Sequence, residues 1–135
     1  MRLAARRLPS PGEKKLQAPR TIRIPFIRRC TVTRASSEQP GSLIDLSVNG
    51  VYVSTAPLPE QAEQLSVSFR VPGNARLVRI AGLVVWTHPQ QTHPVHGIPP
   101  GFGFRFLEVA PPDAALIERI IIAYCQSNPL YRRYL

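Results

Sequence analysis

The residues with the most chemical promise lie in Asp45-Leu46-Ser47-Val48-Asn49-Gly50. Asp45 and Ser47 stand two residues apart, so on a strand both project from one face. A carboxylate beside a hydroxyl can accept from and donate to the edge of a heterocycle. Asn49-Gly50 supplies residues that tolerate positive φ, a strong hairpin signal, and a glycine lets backbone approach a ligand closely. Upstream, Arg20 and Arg23 precede the first apolar run, and guanidinium forks suit phosphate oxygens and stack on flat rings. Asp45 and Ser47 also have a purely structural use, because both types commonly hydrogen-bond the backbone of their own turn. On the residues alone both uses stand open.

Other constellations are weaker. His88, His93 and His96 fall in the loop from Thr87 to Gly101, and clustered imidazoles can bind a transition metal. Yet the loop holds no carboxylate or cysteine and is stiffened by four prolines. Its expected use is a rigid rim for a partner or ligand, and no metal site is assigned. No Ser/His/Asp spacing, metalloprotease helix or phosphate-binding P-loop occurs, and Ser47 has no base near it in sequence. The chain is therefore expected not to be an enzyme: it has no catalytic residue and needs no cofactor. Cys30 and Cys125 are far apart with no CxxC spacing, which points to reduced, buried small hydrophobes rather than a disulfide.

Charge is unevenly placed. Residues 1–34 hold ten Lys/Arg against Glu13 alone, which is the whole net charge of +9. From residue 35 onward seven basic groups balance seven acidic ones. A basic leading segment suits a polyanion such as nucleotide phosphates, a nucleic acid or an acidic protein surface. Over residues 1–15 the expectation is simpler, a solvated tail. No apolar run follows the basic start as in a signal peptide, and the longest apolar stretch, Ile80 to Trp86, is far below the ~20 residues of a membrane helix. A soluble, cytoplasmic protein without membrane insertion is expected.

The elements that must position these residues are short strands. With 135 residues, 44% of them hydrophobic, the chain suffices for one core. Residues 1–19, with Pro9, Pro11, Gly12 and Pro19, read as a flexible basic arm. From Ile24 to Arg34, Phe26, Cys30 and Val32 share one face, interrupted by Arg28 and Arg34. Residues 36–41 read as a turn, followed by strands over Ser42–Leu46 and Val51–Ser54. Leu65, Val67, Phe69 and Val71 alternate strictly with Ser66, Ser68 and Arg70, the pattern of a half-buried strand. Leu77–Trp86 offers one face made of Val78, Ile80, Gly82, Val84 and Trp86. In Gly101–Leu107, Phe102, Phe104 and Phe106 alternate with Gly103 and Arg105 and read as core. Six strands with closely spaced turns predict an antiparallel barrel or sandwich. One helix follows: Pro111-Pro112-Asp113 suits a helix start, Leu116, Ile117, Ile120, Ile121 and Tyr124 recur at helical spacing, and Asn128-Pro129 ends it.

The ordered set of motifs resembles the PilZ domain family, receptors for the bacterial second messenger cyclic di-GMP. Asp45-x-Ser47-x-x-Gly50 is similar to the family's D-x-S-x-x-G motif, and Arg23-Ile24-Pro25 resembles its approach to the barrel. Gly82-Leu83-Val84-Val85-Trp86 resembles its penultimate strand and Gly101-Phe102-Gly103-Phe104-Arg105-Phe106 its closing strand. The resemblance spans roughly residues 20–127. It implies an all-β fold with one C-terminal helix, a six-stranded antiparallel PilZ-type barrel over residues 20–128, preceded by the arm at 1–19 and followed by a tail at 129–135. It also implies a cyclic di-GMP site holding Arg20, Arg23, Asp45, Ser47, Asn49 and Gly50. There Arg23 takes phosphates and stacking, Asp45 and Ser47 read a guanine edge, and Gly50 permits close approach. The family's first motif is R-x-x-x-R, whereas Pro19 stands four residues before Arg23 and the nearest arginine is Arg20, giving R-x-x-R. On this reading the ligand orders the arginine segment against the barrel and so creates a surface for a protein effector. The alternative is a nucleotide-blind PilZ-like adaptor that docks on a protein through the helix or the proline-rich loop. Nucleic-acid binding through Phe26, Arg28 and Arg29 is a rival of another class, disfavoured because the strands show no exposed aromatic pair among basic residues.

Overall fold

A computed structural model describes residues 17–71, 73–89 and 98–135. Residues 1–16 of the expected arm, Pro72, His93 and His96 lie outside the described residues. Six strands are formed: β1 Ile24–Arg34, β2 Ser37–Leu46, β3 Gly50–Thr55, β4 Gln64–Arg70, β5 Leu77–His88 and β6 Gly101–Glu108. All their pairings are antiparallel. They close into a barrel in the order β1-β2-β3-β6-β5-β4.

The alternating residues fill the interior. Val32, Leu43, Val53, Val78, Val84 and Phe102 have no accessible surface, and Val67, Phe69 and Ile80 pack into the same cluster. Phe102, Phe104 and Phe106 run edge-to-face along β6, as the alternation predicts. Burial of these side chains at about 25 cal/mol per Å² is the dominant stabilising term. Cys30 and Cys125 are both free and buried, and burial pushes the Cys30 thiol up to about 12.

Helix α1, Pro111–Ser127, starts on proline and buries Leu116, Ile117, Ile121 and Cys125 in the barrel's own core cluster. Asp113 is buried, and its carboxylate accepts from Arg76 Nε at 2.6 Å, tying the helix start to the segment between β4 and β5. Residues 129–135 pack back onto the body: Tyr131 and Leu135 touch the core cluster, and Arg132–Tyr134 form a 3-10 turn.

Two expectations need correction. The turn expected over 36–41 is instead strand, since β2 begins at Ser37 and the chain reverses at Ala35-Ser36. Ala35 adopts a positive φ of 43°, and Pro40 and Gly41 pair with Thr31 and Cys30 of β1. Trp86 does not continue the inner face of β5. The pairing with β6 shifts register between Val84 and Trp86, a bulge that turns the indole outward. It is 47% exposed.

Candidate functional site

The site forms where the segment before β1 meets the β2–β3 turn. Arg23 Nη2 donates to Asp45 Oδ1 at 2.8 Å, with the two side chains 46% and 29% exposed. The same carboxylate oxygen accepts from the backbone N–H of Tyr52 at 3.0 Å, which fixes Asp45 on the outer face of β2 opposite its β3 partner. Arg23 thus spends one N–H on Asp45 and keeps the rest of its fork toward the surface.

The turn itself is built by Ser47. Its hydroxyl accepts from the N–H groups of Asn49 at 3.2 Å and Gly50 at 3.1 Å, and donates to Gly50 O at 3.1 Å. One donor and two acceptor sites are all that a hydroxyl offers, and Ser47 is 3% exposed. Ser47 therefore shapes the turn, the structural use that the sequence left open. Asn49 ties this turn outward: Nδ2 donates to Arg20 O at 3.3 Å, and Asn49 O accepts from Phe106 N at 2.8 Å. Neither Asn49 nor Gly50 has the positive φ that the hairpin signal suggested. Gly50 is required for a different reason, because a Cβ there would lie 2.1 Å from Phe104 O on β6.

A row of outer-face residues runs on from Asp45. Asp45 pairs with Tyr52, Tyr52 with Gly103, and Gly103 with Trp86. Trp86 lies over Gly103, where any Cβ would fall 2.2 Å from the indole nitrogen. It stacks on Tyr52 with ring centroids 5.2 Å apart and planes at 21°. Tyr52 is anchored by its hydroxyl, which donates to Pro99 O, and burial, with the Asp45 charge second, pushes its phenol up. The row therefore ends in a half-open aromatic face held flat by a buried ring. Alternation alone missed it, since it assigned Trp86 to the core. The usable signal was Gly103, a gap in an otherwise aromatic strand that leaves room for a neighbouring ring.

Of the sequence candidates, Arg23, Asp45, Ser47, Asn49 and Gly50 converge here. Arg20 joins through its backbone carbonyl, while the residue lines a separate cavity of about 430 Å³ that includes Glu118 and Val48. His88 ends β5, and among the described residues no group of three metal-ligating side chains occurs. A second basic region lies on β1 and β4, where Arg28, Arg29 and Arg70 line a cavity of about 520 Å³. Arg28 Nε there donates to Arg70 O at 3.1 Å. Phe26, next to this region in sequence, packs edge-on against the core ring of Phe69 at 6.0 Å rather than standing free to stack on a base.

The PilZ domain model matches residues 15–123, most of the described chain. The chain belongs to the PilZ domain family. PilZ domains are non-catalytic receptor domains, and this PilZ chain shares its fold with several solved structures. It is similar to the inhibitor of motility MotI/DgrA of Bacillus subtilis, with a TM-score of 0.66 and 15% identity over 86% of this chain. That match spans 53% of the Bacillus protein, so the chain corresponds to about half of it. The PilZ domain of YcgR from Escherichia coli, solved with c-di-GMP, matches with a TM-score of 0.58 and 17% identity, over 82% of this chain and 91% of that one. The PilZ domain of CeSA from a cellulose-synthesizing bacterium matches with a TM-score of 0.53 and 16% identity, over 77% and 98%. A search of curated proteins finds no match. Among the described residues no helix of this PilZ domain is long and apolar enough to cross a membrane.

Proposed function

We propose that this PilZ domain is a cyclic di-GMP receptor whose ligand lies across Arg23, Asp45 and the outer face leading to Trp86. The observation that carries this reading is the Arg23–Asp45 pair, a cation and a guanine-compatible acceptor 2.8 Å apart and both accessible. The similar domain of YcgR was solved with that nucleotide, which supports the choice of ligand.

The energetics favour exchange. An exposed ion pair contributes only about 0.2–1 kcal/mol, so a phosphodiester can draw Arg23 toward itself at small cost. Asp45, still held by the Tyr52 amide, then accepts from a guanine N–H edge. Trp86 offers its open face to a base, a contact of about 1–3 kcal/mol in single-stranded nucleotide binders. Ser47 and Gly50 serve by fixing the turn that carries Asp45 and Asn49. Segment 17–23 is tied to the body by Ala18 N donating to Glu118 Oε2 at 3.3 Å and by Asn49 holding Arg20 O. Ligand drawn to Arg23 pulls on this segment, and its reordered surface is what a protein effector reads.

Calorimetric titration of the full chain with cyclic di-GMP tests the proposal. Saturable binding is expected, weakened at least tenfold, about 1.4 kcal/mol, by Arg23→Ala and by Asp45→Ala. No heat at high ligand concentration, together with an unchanged melting temperature, overturns it in favour of a nucleotide-blind adaptor acting on a protein.

A further inference from the structure

Arg23 shares its cavity with the other end of the sequence. A cavity of about 550 Å³ is lined by Ile22 and Arg23 on one side and by Leu130, Tyr131, Arg133 and Tyr134 on the other, with no carboxylate in its lining. Arg20, the arginine nearest to Arg23 in sequence, belongs to the cavity beside Glu118 instead. An anion entering beside Arg23 therefore meets Arg133.

The wall that presents Arg133 is built, not loose. Asn128 O accepts from the N–H groups of Tyr131 at 2.9 Å and Arg132 at 3.1 Å, and Asn128 Oδ1 accepts from Leu130 N at 3.1 Å. Tyr131 packs edge-on against Tyr124 of α1 at 5.1 Å and reaches Tyr134 at 6.2 Å. The Arg133 guanidinium lies 5.1 Å from the centre of the Tyr134 ring, a cation–π arrangement, and Nη2 donates to the Tyr134 hydroxyl at 3.2 Å. An aromatic base and one hydrogen bond orient this fork and leave its other N–H groups for an acceptor.

We infer that Arg133, seated on Tyr134, is the second phosphate-binding arginine of the site, so that a phosphodiester is held between Arg23 and Arg133 rather than between Arg23 and Arg20. This rests on the cyclic di-GMP reading above and adds to it residues from the segment that the sequence assigns to a tail. A phosphodiester suits a cavity lined by two guanidinium forks and no carboxylate, because Arg23 is held by Asp45 through a single N–H and both forks keep N–H groups for charge-assisted hydrogen bonds.

The test is titration of wild type, Arg23→Ala, Arg133→Ala, Arg133→Lys and Arg20→Ala with cyclic di-GMP, each variant's melting temperature being measured alongside. Arg133 is exposed, so its variants are expected to melt like wild type. Arg133→Ala should weaken binding at least tenfold, Arg133→Lys by less because a point charge replaces the fork, and Arg20→Ala by under threefold. If wild type binds and Arg23→Ala fails while Arg133→Ala stays within twofold, the assignment of Arg133 is overturned and the receptor reading survives. A tenfold loss in Arg20→Ala with none in Arg133→Ala overturns it too. Absence of binding by wild type overturns both.

Discussion

Strand β1 carries an arginine–carboxylate pair at each end, and the two are built differently. Before its start, Arg23 reaches Asp45 through a single contact, with its side chain 46% exposed. At its far end, Arg34 grips Glu63 through two parallel bonds, Nε to Oε2 at 2.8 Å and Nη2 to Oε1 at 2.9 Å, with both side chains 25% exposed. Glu63 also accepts from the backbone N–H of Glu60 at 3.0 Å. A bidentate fork with a further donor holds two loops of the fold together, whereas a monodentate, accessible pair gives up its partner at little cost. The same two residue types thus make a clasp at one end and a loosely held, accessible pair at the other.

That contrast breaks if the two pairs respond alike to substitution. Glu63→Gln should lower stability by roughly 1–2 kcal/mol, since it removes charged hydrogen bonds at a partly buried position, and the melting temperature by roughly 3–6 °C. Its cyclic di-GMP affinity should stay within twofold. Arg23→Ala should do the reverse, losing ligand while melting near the wild-type temperature. Thermal melts and titrations on the same two samples decide the matter, and a variant that fails in both would merge the two ends into one unit.

The pH dependence should sharpen the distinction at smaller amplitude. The hydrogen bond from Arg34, then that from the Glu60 backbone, holds the Glu63 carboxyl below its ordinary 4.5, and the same bond raises Arg34. A carboxylate depressed in the folded state stabilises above its unfolded value and loses that contribution as pH falls through the folded one. The melting-temperature gap between wild type and Glu63→Gln should therefore be full at neutral pH, begin to narrow near pH 4.5, and close below the folded value. A gap that stays constant into acid would remove the Arg34–Glu63 clasp from the account.

The smallest effect is expected at the other basic region. Arg28→Ala and Arg29→Ala alter a cavity of similar size but one without the acceptor and the stacked ring of the Arg23 end. Cyclic di-GMP affinity should change by no more than twofold at fixed salt. A tenfold loss there would mean that positive charge alone drives binding.

The barrel was legible because its strands obey period two, and the C-terminal helix because five apolar residues recur at helical spacing. The candidate site was legible only where it is local. Asp45 through Gly50 fold on themselves, so their types and spacing located the turn. The hydroxyl of Ser47 could not be assigned in advance, because whether it serves backbone or ligand depends on the closure of three hydrogen bonds. Trp86 was misread since one bulge reverses the face of every residue beyond it. Arg133 carries no local signal at all. Its neighbourhood with Arg23 arises from barrel closure and from the chain folding back after α1, which no pattern of spacing records.

The ring β1-β2-β3-β6-β5-β4 closes on itself, so each strand has a neighbour on both sides, with the seam between β1 and β4 made over Cys30–Thr33 alone. Closure leaves no wholly free strand edge, and the outer side chains hang on a framework held by backbone bonds. Arg23, Trp86 and Arg133 can each be exchanged without removing a rung of that framework. A scaffold of this kind keeps its shape while the side chains on its surface change.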